Sequence, residues 1–470
     1  MIAWITTAFY LAGFFAAAHA VMNVRTAQGA IAWSVSLVSF PFLALPAYLV
    51  LGRSKFEGGA EAYQQRKVEI DGIVTDMRRN LDPWAMSPSE HTKVYRAIRE
   101  LSGMQLTTRN HAELLIDGKA TFDSILSGIA DAREYALVQF YMFHDDGLGR
   151  RMQQALIERA RAGVRVYMLY DEVGSKGLPQ SYIDELTEAG VEVTSFKPTR
   201  GRANRFQLNF RNHRKMVVVD GVVGWVGGHN VGDEYLGLDP EFSPWRDTHV
   251  RLEGPVVTQL QAVLLGDWYW ATRELPQVNL EPQPVDGEGV GAMIIPSSPN
   301  QRLETMGLFF VAALNSARER IWLSAPYFVP DEAVMKALEL AALRGVDVRI
   351  IVPGKSDNLI VYLAAFHYID QLRDLGIRFY AYQPGFLHEK VMLVDDNVST
   401  VGTANFDNRS FRLNFEVTSA IVDTDFADEM EEMFEADFAH SVPIDPATFD
   451  GKPFWWRLGV NLSRLASPVL

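Results

Sequence analysis

Residues 211–230 read RNHRKMVVVDGVVGWVGGHN, and residues 386–405 read FLHEKVMLVDDNVSTVGTAN. Both stretches fit one pattern, H-x-K-x4-D-x6-G-[GT]-x-N. Its polar positions are His213, Lys215, Asp220 and Asn230 in the first copy, and His388, Lys390, Asp395 and Asn405 in the second. His and Lys two positions apart on a strand point to the same face, and the apolar run that follows suits a buried strand. A single H-x-K arises easily by chance, whereas two matched copies indicate a duplicated site.

Strands and helices alternate around both copies in the same order. We predict strands at 135–143 and 164–170 around a helix at 148–162, and strands at 321–329 and 346–352 around a helix at 331–344. Continuous apolar runs such as YALVQFYMF suit strands that are buried on both faces. We therefore expect an α/β fold of two repeated lobes with pseudo-twofold symmetry. Each lobe should be a largely parallel or mixed sheet covered by helices, with the ligand site where the lobes meet.

Composition divides the chain into four parts. Residues 1–52 are almost without charge, residues 53–109 form a connecting segment, residues 110–285 hold the first lobe, and residues 286–470 hold the second lobe and a C-terminal tail. The connecting segment contains one predicted helix around 88–101. The stretch 276–288, rich in Pro, Gly and acidic residues, is the predicted linker between the lobes.

The first part carries two apolar segments. Residues 1–24 and 26–51 contain no Asp, Glu, Lys or Arg, and about 20 apolar residues in a helix are enough to cross a bilayer. We predict a transmembrane helical hairpin whose second helix is kinked at Pro41 and Pro46. A cleaved signal peptide is the alternative, because AHA at 18–20 resembles a cleavage site. The second apolar segment, which follows at once, favours the hairpin.

The hairpin predicts a multi-pass protein whose catalytic body lies on the side where the chain starts. Arg53, Lys55, Arg66 and Lys67 follow the hairpin, while Arg25 alone marks its loop. Because positive charges near membrane helices collect on the cytoplasmic side, this distribution favours a cytoplasmic body.

The global composition excludes several classes of protein. The chain has 44 basic and 58 acidic side chains and a formal net charge of −14, which argues against a protein that binds nucleic acid by bulk attraction. It contains no cysteine. This excludes a disulfide framework, a thiolate metal site and a cysteine nucleophile.

One basic segment lies within this acidic chain. Residues 194–215 carry seven Lys or Arg and no acidic residue. A solvated basic face is one explanation, and the other is an attractor for anionic head groups beside the first motif. In the second case Arg205 and Arg211 are the predicted phosphate contacts. Tyr141 and Tyr327 end equivalent strands, where a phenol either reaches the cleft or packs in the core.

Longer sequence segments around the motifs resemble those of the phospholipase D superfamily and, within it, of bacterial cardiolipin synthases. They are YDEVGS at 170–175, GGHNVGDEYLG at 227–237, WRDTHVRLEGP at 245–255, APYFVPD at 325–331, GTANFDNRSFRLNFE at 402–416 and RLASPVL at 464–470. The resemblance runs over nearly the whole chain and is weakest at 53–109. Thr403 is a minor departure, because Ser is commoner at that position of the motif.

The resemblance implies that a phosphatidyl group is transferred by double displacement through a phosphatidyl-histidine, with no metal and no cofactor. By the order usual in the family, His213 is the nucleophile and His388 is the general acid and then the general base. Because the two motifs are nearly identical, the residues alone do not distinguish these roles. The motif lysines and asparagines are expected to surround the phosphoryl oxygens.

A catalytic histidine needs a carboxylate that fixes its tautomer. Asp247 follows the first motif and Glu416 follows the second, and each heads a strand-like run. We therefore expect each carboxylate to pair with the histidine of its own motif, and ordinary strand-end contacts are the alternative. Asp220 and Asp395 are expected to hold the motif loop and neighbouring backbone rather than to touch the substrate.

The resemblance implies cardiolipin synthesis from two phosphatidylglycerol molecules, with release of glycerol, at the bacterial inner membrane. A phospholipase D-type hydrolase or another phosphatidyltransferase is the nearest alternative, followed by a nuclease and a non-catalytic lipid-binding scaffold. The expected partner is an anionic phospholipid membrane and not nucleic acid, and these patterns do not encode the oligomeric state. The aromatic residues 454–456 open a tail that suits either the membrane interface or lobe packing.

Overall fold

The computed structural model describes residues 2–52, 67–86, 92–197, 199, 209–445 and 449–470. Two lobes of the same architecture share one mixed sheet, which has 16 strands within these residues. The two-lobe α/β fold predicted from the repeat is confirmed. Arg205 and the other residues at 200–208 lie outside the described residues.

The strands of the first lobe are β1 (Thr107–Ile116), β2 (Tyr135–Phe140), β3 (Arg165–Asp171), β4 (Glu192–Phe196), β5 (Arg211–Asn212), β6 (Met216–Val219), β7 (Val223–Gly227), β8 (Trp245–Arg246) and β9 (Thr248–Glu253). Those of the second lobe are β10 (Val290–Ser297), β11 (Arg320–Ser324), β12 (Phe328–Val329), β13 (Asp347–Pro353), β14 (Arg378–Tyr382), β15 (Phe386–Leu387), β16 (Val391–Val394), β17 (Val398–Gly402), β18 (Phe406–Asp407), β19 (Asn414–Val422) and β20 (Ser441–Pro443).

The helices before the lobes are α1 (Ile2–Asn23), α2 (Ala27–Ser39), α3 (Pro41–Leu51), α4 (Lys67–Leu81) and α5 (Thr92–Ser102). The first lobe contains α6 (Asp117–Ala130), α7 (Gly147–Arg161), α8 (Gln180–Glu188) and α9 (Val256–Thr272). The second contains α10 (Thr305–Ser316), α11 (Glu332–Leu343), α12 (Leu359–Leu372), α13 (Asn408–Arg412) and α14 (Thr424–Ala439), and the tail forms α15 (Phe454–Arg464).

Equivalent strands of the two lobes follow in the same order from the centre of the sheet to each edge. Its order is β20-β14-β13-β11-β16-β17-β19-β10-β1-β9-β7-β6-β2-β3-β4. The lobes join where β1 pairs antiparallel with β10, with Thr107 opposite Ala292. On each side the motif strand, β6 or β16, lies between an antiparallel partner and the first of three parallel strands. This order is the pseudo-twofold symmetry that the duplicated sequence predicts.

Two predicted strands end earlier than their apolar runs. Strand β2 ends at Phe140 and β11 ends at Ser324. In the second lobe Pro326 has no backbone N–H to donate, so the ladder stops. The next strand, β12, pairs with β18 in a separate two-stranded sheet. Tyr141 and Tyr327 therefore lie just beyond the ends of their strands.

Helices α9 and α14 hold the two lobes together. Trp268 and Leu264 of α9 and Phe434 and Met430 of α14 belong to one buried apolar core, which also contains residues from both halves of the sheet. Burial of large apolar side chains is the main favourable term in such packing. The relative position of the lobes is thus fixed by a core and not by the 276–288 linker, which joins α9 to β10.

The N-terminal segment folds differently from the prediction. Helix α1 is the one described helix that is long and apolar enough to cross a membrane, over Ala3–Asn23. The second spanning helix predicted over 26–51 is not formed, because the chain leaves the helical conformation at Phe40 (φ −134°, ψ 57°) and Pro41 starts a new helix without an N–H. The expected kink is a reversal: the rings of Trp33 in α2 and Tyr48 in α3 lie 5.1 Å apart.

Candidate active site

Both motif histidines line one cleft between the lobes. The cleft has a volume of about 980 Å³ and takes His213 from the first lobe and His388 from the second. Its wall also contains Tyr141, Arg211, Asn230, Tyr327, Asn405 and Arg409. Sequence reasoning identified all of these residues except Arg409, which lies in the word GTANFDNRSFRLNFE.

Each histidine is hydrogen-bonded to the carboxylate of the other lobe. Nδ1 of His213 lies 3.0 Å from Oε2 of Glu416, and Nδ1 of His388 lies 2.7 Å from Oδ2 of Asp247. The pairing within each motif, predicted from the sequence, is therefore exchanged. With Nδ1 engaged by a carboxylate, Nε2 is the ring nitrogen left for chemistry in the cleft.

Short parallel strand pairs between the lobes produce this exchange. Strand β5 pairs with the start of β19, with Asn212 opposite Phe415, so that His213 comes next to Glu416. Strand β15 pairs with β8, with Leu387 opposite Arg246, so that the following residues are again a histidine and a carboxylate. Each motif thus begins against the strand that carries its partner.

The Glu416 carboxylate is held by several donors of its own lobe. It accepts hydrogen bonds from Thr403 Oγ1 (2.6 Å), Ser410 Oγ (2.9 Å) and Asn414 Nδ2 (3.0 Å). Burial alone would raise the pKa of Glu416, but His213, the charge of Lys215 and the Thr403 hydroxyl outweigh burial and lower it. Thr403, the minor departure from the motif, therefore retains the hydroxyl that this site uses.

Asp247 is accommodated by the absence of a side chain. A Cβ built at Gly228, the position equivalent to Thr403, would overlap the Asp247 carboxylate. The backbone N–H of Thr248 donates to Oδ1 of Asp247 at 2.8 Å, which leaves Oδ2 for His388. The Gly-Gly and Gly-Thr variants of the motif thus match two different carboxylate environments.

Burial and nearby cations favour the neutral form of both histidines in the free enzyme. The pKa of His213 is lowered by burial, although Glu416 opposes the shift. The pKa of His388 is lowered well below 6.5 by burial and by the positive charges of Lys390 and Lys215. A neutral imidazole has a lone pair at Nε2, which a nucleophile or a general base requires.

The two motif lysines lie directly behind the histidines and are not among the cleft-lining residues. Lys215 Nζ donates to the His213 carbonyl at 2.6 Å, and Lys390 Nζ donates to that of His388. Burial lowers the pKa of Lys215 well below 10.5 and that of Lys390 to about 8. They are buried charges whose field reaches both histidines.

The motif aspartates hold backbone, as the sequence predicted, and lie away from the cleft. Asp220 accepts hydrogen bonds from the N–H groups of residues 133–135 at 2.8 Å, and Asp395 accepts the equivalent bonds from residues 318–320. Both adopt a left-handed conformation, with φ of 53° and 52°, which Asp tolerates better than most residues. Each one fixes the start of the strand that flanks its motif.

The middle residues of the two motifs connect the lobes. Arg214 pairs with Asp267 of its own lobe at 2.6 Å and donates from Nε to the carbonyl of Glu416 in the other lobe at 3.1 Å. In the second motif Glu389 takes this place and pairs with Arg246 of the first lobe at 3.0 Å. An arginine and a glutamate thus take equivalent positions, and both tie the histidine strand to the opposite lobe. Burial raises the pKa of the Glu389 carboxyl to about 8.

The cleft also contains polar groups that suit a phosphodiester and its alcohol. Arg211 and Arg409 supply guanidinium groups, and Tyr141 stacks edge-on to His213 with ring centroids 5.1 Å apart. Within the described residues, Oδ1 of Asn405 and Oδ1 of Asn414 are buried without a hydrogen-bond partner. Unpaired buried acceptors of this kind favour a ligand that brings hydroxyl donors.

One cluster at the cleft mouth has the composition of a cation site. The ligand atoms of His144, Asp146 and Glu234 lie within 4.8 Å of one another. Oδ1 and Oδ2 of Asp146 already accept from the backbone N–H groups of Gly149 and Asp233. The cluster therefore caps helix α7 and orders the cleft edge.

Comparison with known proteins agrees with this geometry. A family model described as cardiolipin synthase, PLD-like domain, matches residues 125–263 and 310–438, one segment in each lobe. A cardiolipin synthase A from Pseudomonas putida (strain W619) is 49% identical over 466 residues, covering 98% of this chain and 97% of the relative. One from Pseudomonas aeruginosa (strain LESB58) is 49% identical over 465 residues, covering 97% and 94%. A phosphatidylserine synthase structure from Haemophilus influenzae shares the fold at 13% identity, with a TM-score of 0.61 over 80% of this chain and all of that chain.

Two H-x-K motifs that meet in one cleft, on this fold, define a phospholipase D-like protein. The chain belongs to the cardiolipin synthase family of that class. It is a phosphatidyltransferase, and its apolar N-terminal helix makes it a membrane-associated one.

Proposed function

We propose that this enzyme makes cardiolipin from two phosphatidylglycerol molecules through a phosphatidyl-histidine. The observation that carries the proposal is the pair of histidines in one cleft, each with Nδ1 on a carboxylate of the opposite lobe. This arrangement provides one nucleophile and one proton carrier, the two groups that a double displacement needs.

In the first step Nε2 of His213 attacks the phosphorus of the donor phosphatidylglycerol. The bond from phosphorus to the glycerol oxygen breaks, and His388 gives its proton to that oxygen, so that glycerol leaves. In the second step neutral His388 removes the proton from the terminal hydroxyl of the acceptor phosphatidylglycerol. The hydroxyl oxygen then attacks phosphorus, the N–P bond breaks, and cardiolipin and the free His213 result.

The charges of the site suit an anionic phosphodiester. Arg211 and Arg409 face the cleft, and Lys215 and Lys390 lie behind the histidines. A bound phosphate offsets the repulsion that these lysines exert on a protonated His388, while Asp247 holds its Nδ1–H at 2.7 Å. The site thus favours the protonated general acid when substrate is bound.

The surroundings of the cleft suit lipid substrates that carry hydroxyl groups. The unpaired amide oxygens of Asn405 and Asn414 offer acceptors to a glycerol head group. Val173 and Leu238 line the cleft and expose 40% and 64% of their surface. An apolar rim around a polar site is suited to acyl chains outside and a phosphate inside.

A hydrolase or a phosphatidyltransferase with another acceptor would need the same histidines, and the product distinguishes them. Purified enzyme with radiolabelled phosphatidylglycerol in vesicles should give cardiolipin and glycerol in equal amounts. Phosphatidic acid without cardiolipin would overturn the synthase proposal. His213→Ala should abolish turnover, while His367→Ala, outside the cleft, should not. In His388→Ala the first step lacks its acid and the second step lacks its base, so turnover should be lost as well.

We also place the enzyme in the bacterial plasma membrane, the inner membrane of a two-membrane cell, with the catalytic body in the cytoplasm. The basic residues that follow α3 in the sequence support this side. The multi-pass anchor predicted from the sequence needs a second spanning helix. The packing of α2 against α3 favours instead two short helices that reverse the chain direction at Phe40.

A further inference from the structure

The contacts of the N-terminal helices define the direction of each one. Ser34 of α2 donates to the carbonyl of Ala17 in α1 at 3.5 Å. Leu37, further along α2, lies against Gly13, which is earlier in α1 and where a Cβ would overlap the Leu37 carbonyl. Helices α1 and α2 are therefore antiparallel and in backbone contact, the close approach that small residues permit in membranes.

Helix α3 turns back along both of its predecessors. At its start the ring centroid of Phe42 lies 4.7 Å from that of Phe9. Near its end the hydroxyl of Tyr48 is hydrogen-bonded to Nδ1 of His19 at 2.8 Å. Helix α3 is thus parallel to α1, and its last turn returns to the level of the turn between α1 and α2.

That turn is attached to the catalytic body. Nη1 of Arg25 lies 2.6 Å from Oε1 of Glu304. The other oxygen of Glu304 accepts from Nε of Arg412 in α13 at 2.9 Å, and Arg412 also pairs with Asp331 at 2.9 Å. The end of α1, the start of α2 and the end of α3 therefore all lie at the body end of the helix bundle.

We propose that the N-terminal segment crosses the bilayer once, through α1, and that α2 and α3 form a re-entrant pair that enters and leaves on the side of the catalytic body. The 22 residues of α1 span about 33 Å, enough for a hydrocarbon core of about 30 Å. The 13 residues of α2 reach only about 20 Å before the chain reverses. Ile2 and the body then lie on opposite sides of the membrane.

The chain reversal between α2 and α3 has features that suit the hydrocarbon core of a membrane. The N–H of Phe40 donates to the carbonyl of Ser36 at 2.8 Å, the carbonyl of Phe40 accepts from the N–H of Ala44 at 2.9 Å, and Pro41 has no N–H. Phe40 and Leu43 at the tip expose 68% and 79% of their surface. Both backbone polar groups of Phe40 are thus satisfied within the helices, as a chain inside hydrocarbon requires.

The charge distribution supports the same arrangement independently. With one crossing, Arg25 and the four basic residues at positions 53, 55, 66 and 67 all belong to the body side. With two crossings, Arg25 would lie alone on the opposite side. Since basic residues collect on the cytoplasmic side, one crossing gives the larger asymmetry.

The absence of cysteine from the sequence allows a direct test. Ala3→Cys, Gln28→Cys, Phe40→Cys and Lys119→Cys, one at a time in the full chain, report on the start of α1, the turn, the reversal and the body. Each variant is exposed to a membrane-impermeant maleimide in intact spheroplasts and in inverted membrane vesicles. Residual enzyme activity checks that each variant is folded.

One crossing predicts that Gln28→Cys and Lys119→Cys are labelled from the same side, that Ala3→Cys is labelled only from the other, and that Phe40→Cys is labelled from neither. If Ala3→Cys and Lys119→Cys share a side and Gln28→Cys is labelled from the opposite one, the proposal is wrong and the two-crossing hairpin is correct. Labelling of Ala3, Gln28 and body positions all from one side would also overturn it, because α1 would then not cross. None of these results depends on which lipid the enzyme makes.

Discussion

His213 and Glu416 belong to different lobes, and the Glu416 carboxylate lies 3.0 Å from Nδ1 of His213. The mirror-image contact joins His388 to Asp247. Neither lobe therefore contains a complete histidine–carboxylate pair, and the active site exists only when the lobes are docked. The shared core of α9 and α14 stabilises that docking.

The crossed pairing predicts which histidine responds to each carboxylate. Glu416→Gln removes the interaction that raises the pKa of His213, so the pKa of His213 should fall further while that of His388 stays unchanged. The pH dependence of diethylpyrocarbonate modification, followed for each histidine peptide by mass spectrometry, measures both values. Turnover should drop by a factor on the order of 10³ to 10⁴, as when the carboxylate of a catalytic triad is neutralised. A shift at His388 in place of His213 would show that the pairing is within the lobe.

The lowered pKa of Lys390 leads us to expect a loss of substrate affinity at mildly alkaline pH. Its pKa is about 8 because it is buried, so its charged form prevails below pH 8 and is lost as the pH rises. The KM for phosphatidylglycerol should therefore rise between about pH 7.5 and 9 rather than near pH 10.5. Lys390→Arg keeps the charge throughout this range, and its KM should show no inflection there. An inflection that persists in Lys390→Arg would assign the effect to another group.

We expect activity to be sensitive to an added side chain at Gly228 but not to the change from Thr to Ser at the equivalent position, Thr403. Gly228→Ala puts a Cβ where the Asp247 carboxylate lies, which should displace that carboxylate from His388 and lower kcat by about two orders of magnitude or more. Thr403→Ser keeps the hydroxyl that donates to Glu416 and should retain near-normal activity. Initial rates on phosphatidylglycerol vesicles test both variants. Equal activity of the two would mean that the Asp247 contact is not needed for turnover.

Because Asp220 and Asp395 bind backbone away from the cleft, we expect their substitution to lower stability and to leave kcat nearly unchanged. Asp395→Asn keeps an acceptor and tolerates the left-handed conformation, so kcat should change less than twofold. Asp395→Ala leaves three backbone N–H groups without their acceptor and should lower the free energy of unfolding by about 1–3 kcal/mol. Thermal unfolding and kcat, measured on the same preparations, separate the effects. A large drop in the kcat of folded Asp395→Asn would give this residue a role in the reaction.

The sequence was sufficient for the repeat, the motif histidines and the carboxylates, because these depend on local periodicity and matched spacing. It was not sufficient for the partner of each carboxylate, since β5 and β15 pair across the lobes and spacing reports only separation along the chain. Pro41 illustrates the same limit: a proline at the first turn of a helix is compatible with either a kink or a reversal. Arg409 has no periodicity or motif position that would single it out from other arginines.

The contacts of Arg246 across the lobes lead us to expect a large loss of stability when this residue is replaced. Its guanidinium is buried, donates to both oxygens of Asp437 at 2.9 and 2.8 Å, and pairs with Glu389. Arg246→Ala leaves the buried Asp437 carboxylate without its cation and the buried Glu389 carboxyl without its donor, which should lower the free energy of unfolding by about 3–5 kcal/mol. Lys119→Ala removes an ion pair with Asp123 in which the lysine side chain is 89% exposed, and it should cost less than about 0.5 kcal/mol. Thermal unfolding of both variants against the parent measures the difference. Equal stability of the two would mean that the apolar core alone, and not this network, fixes the lobes around the histidines.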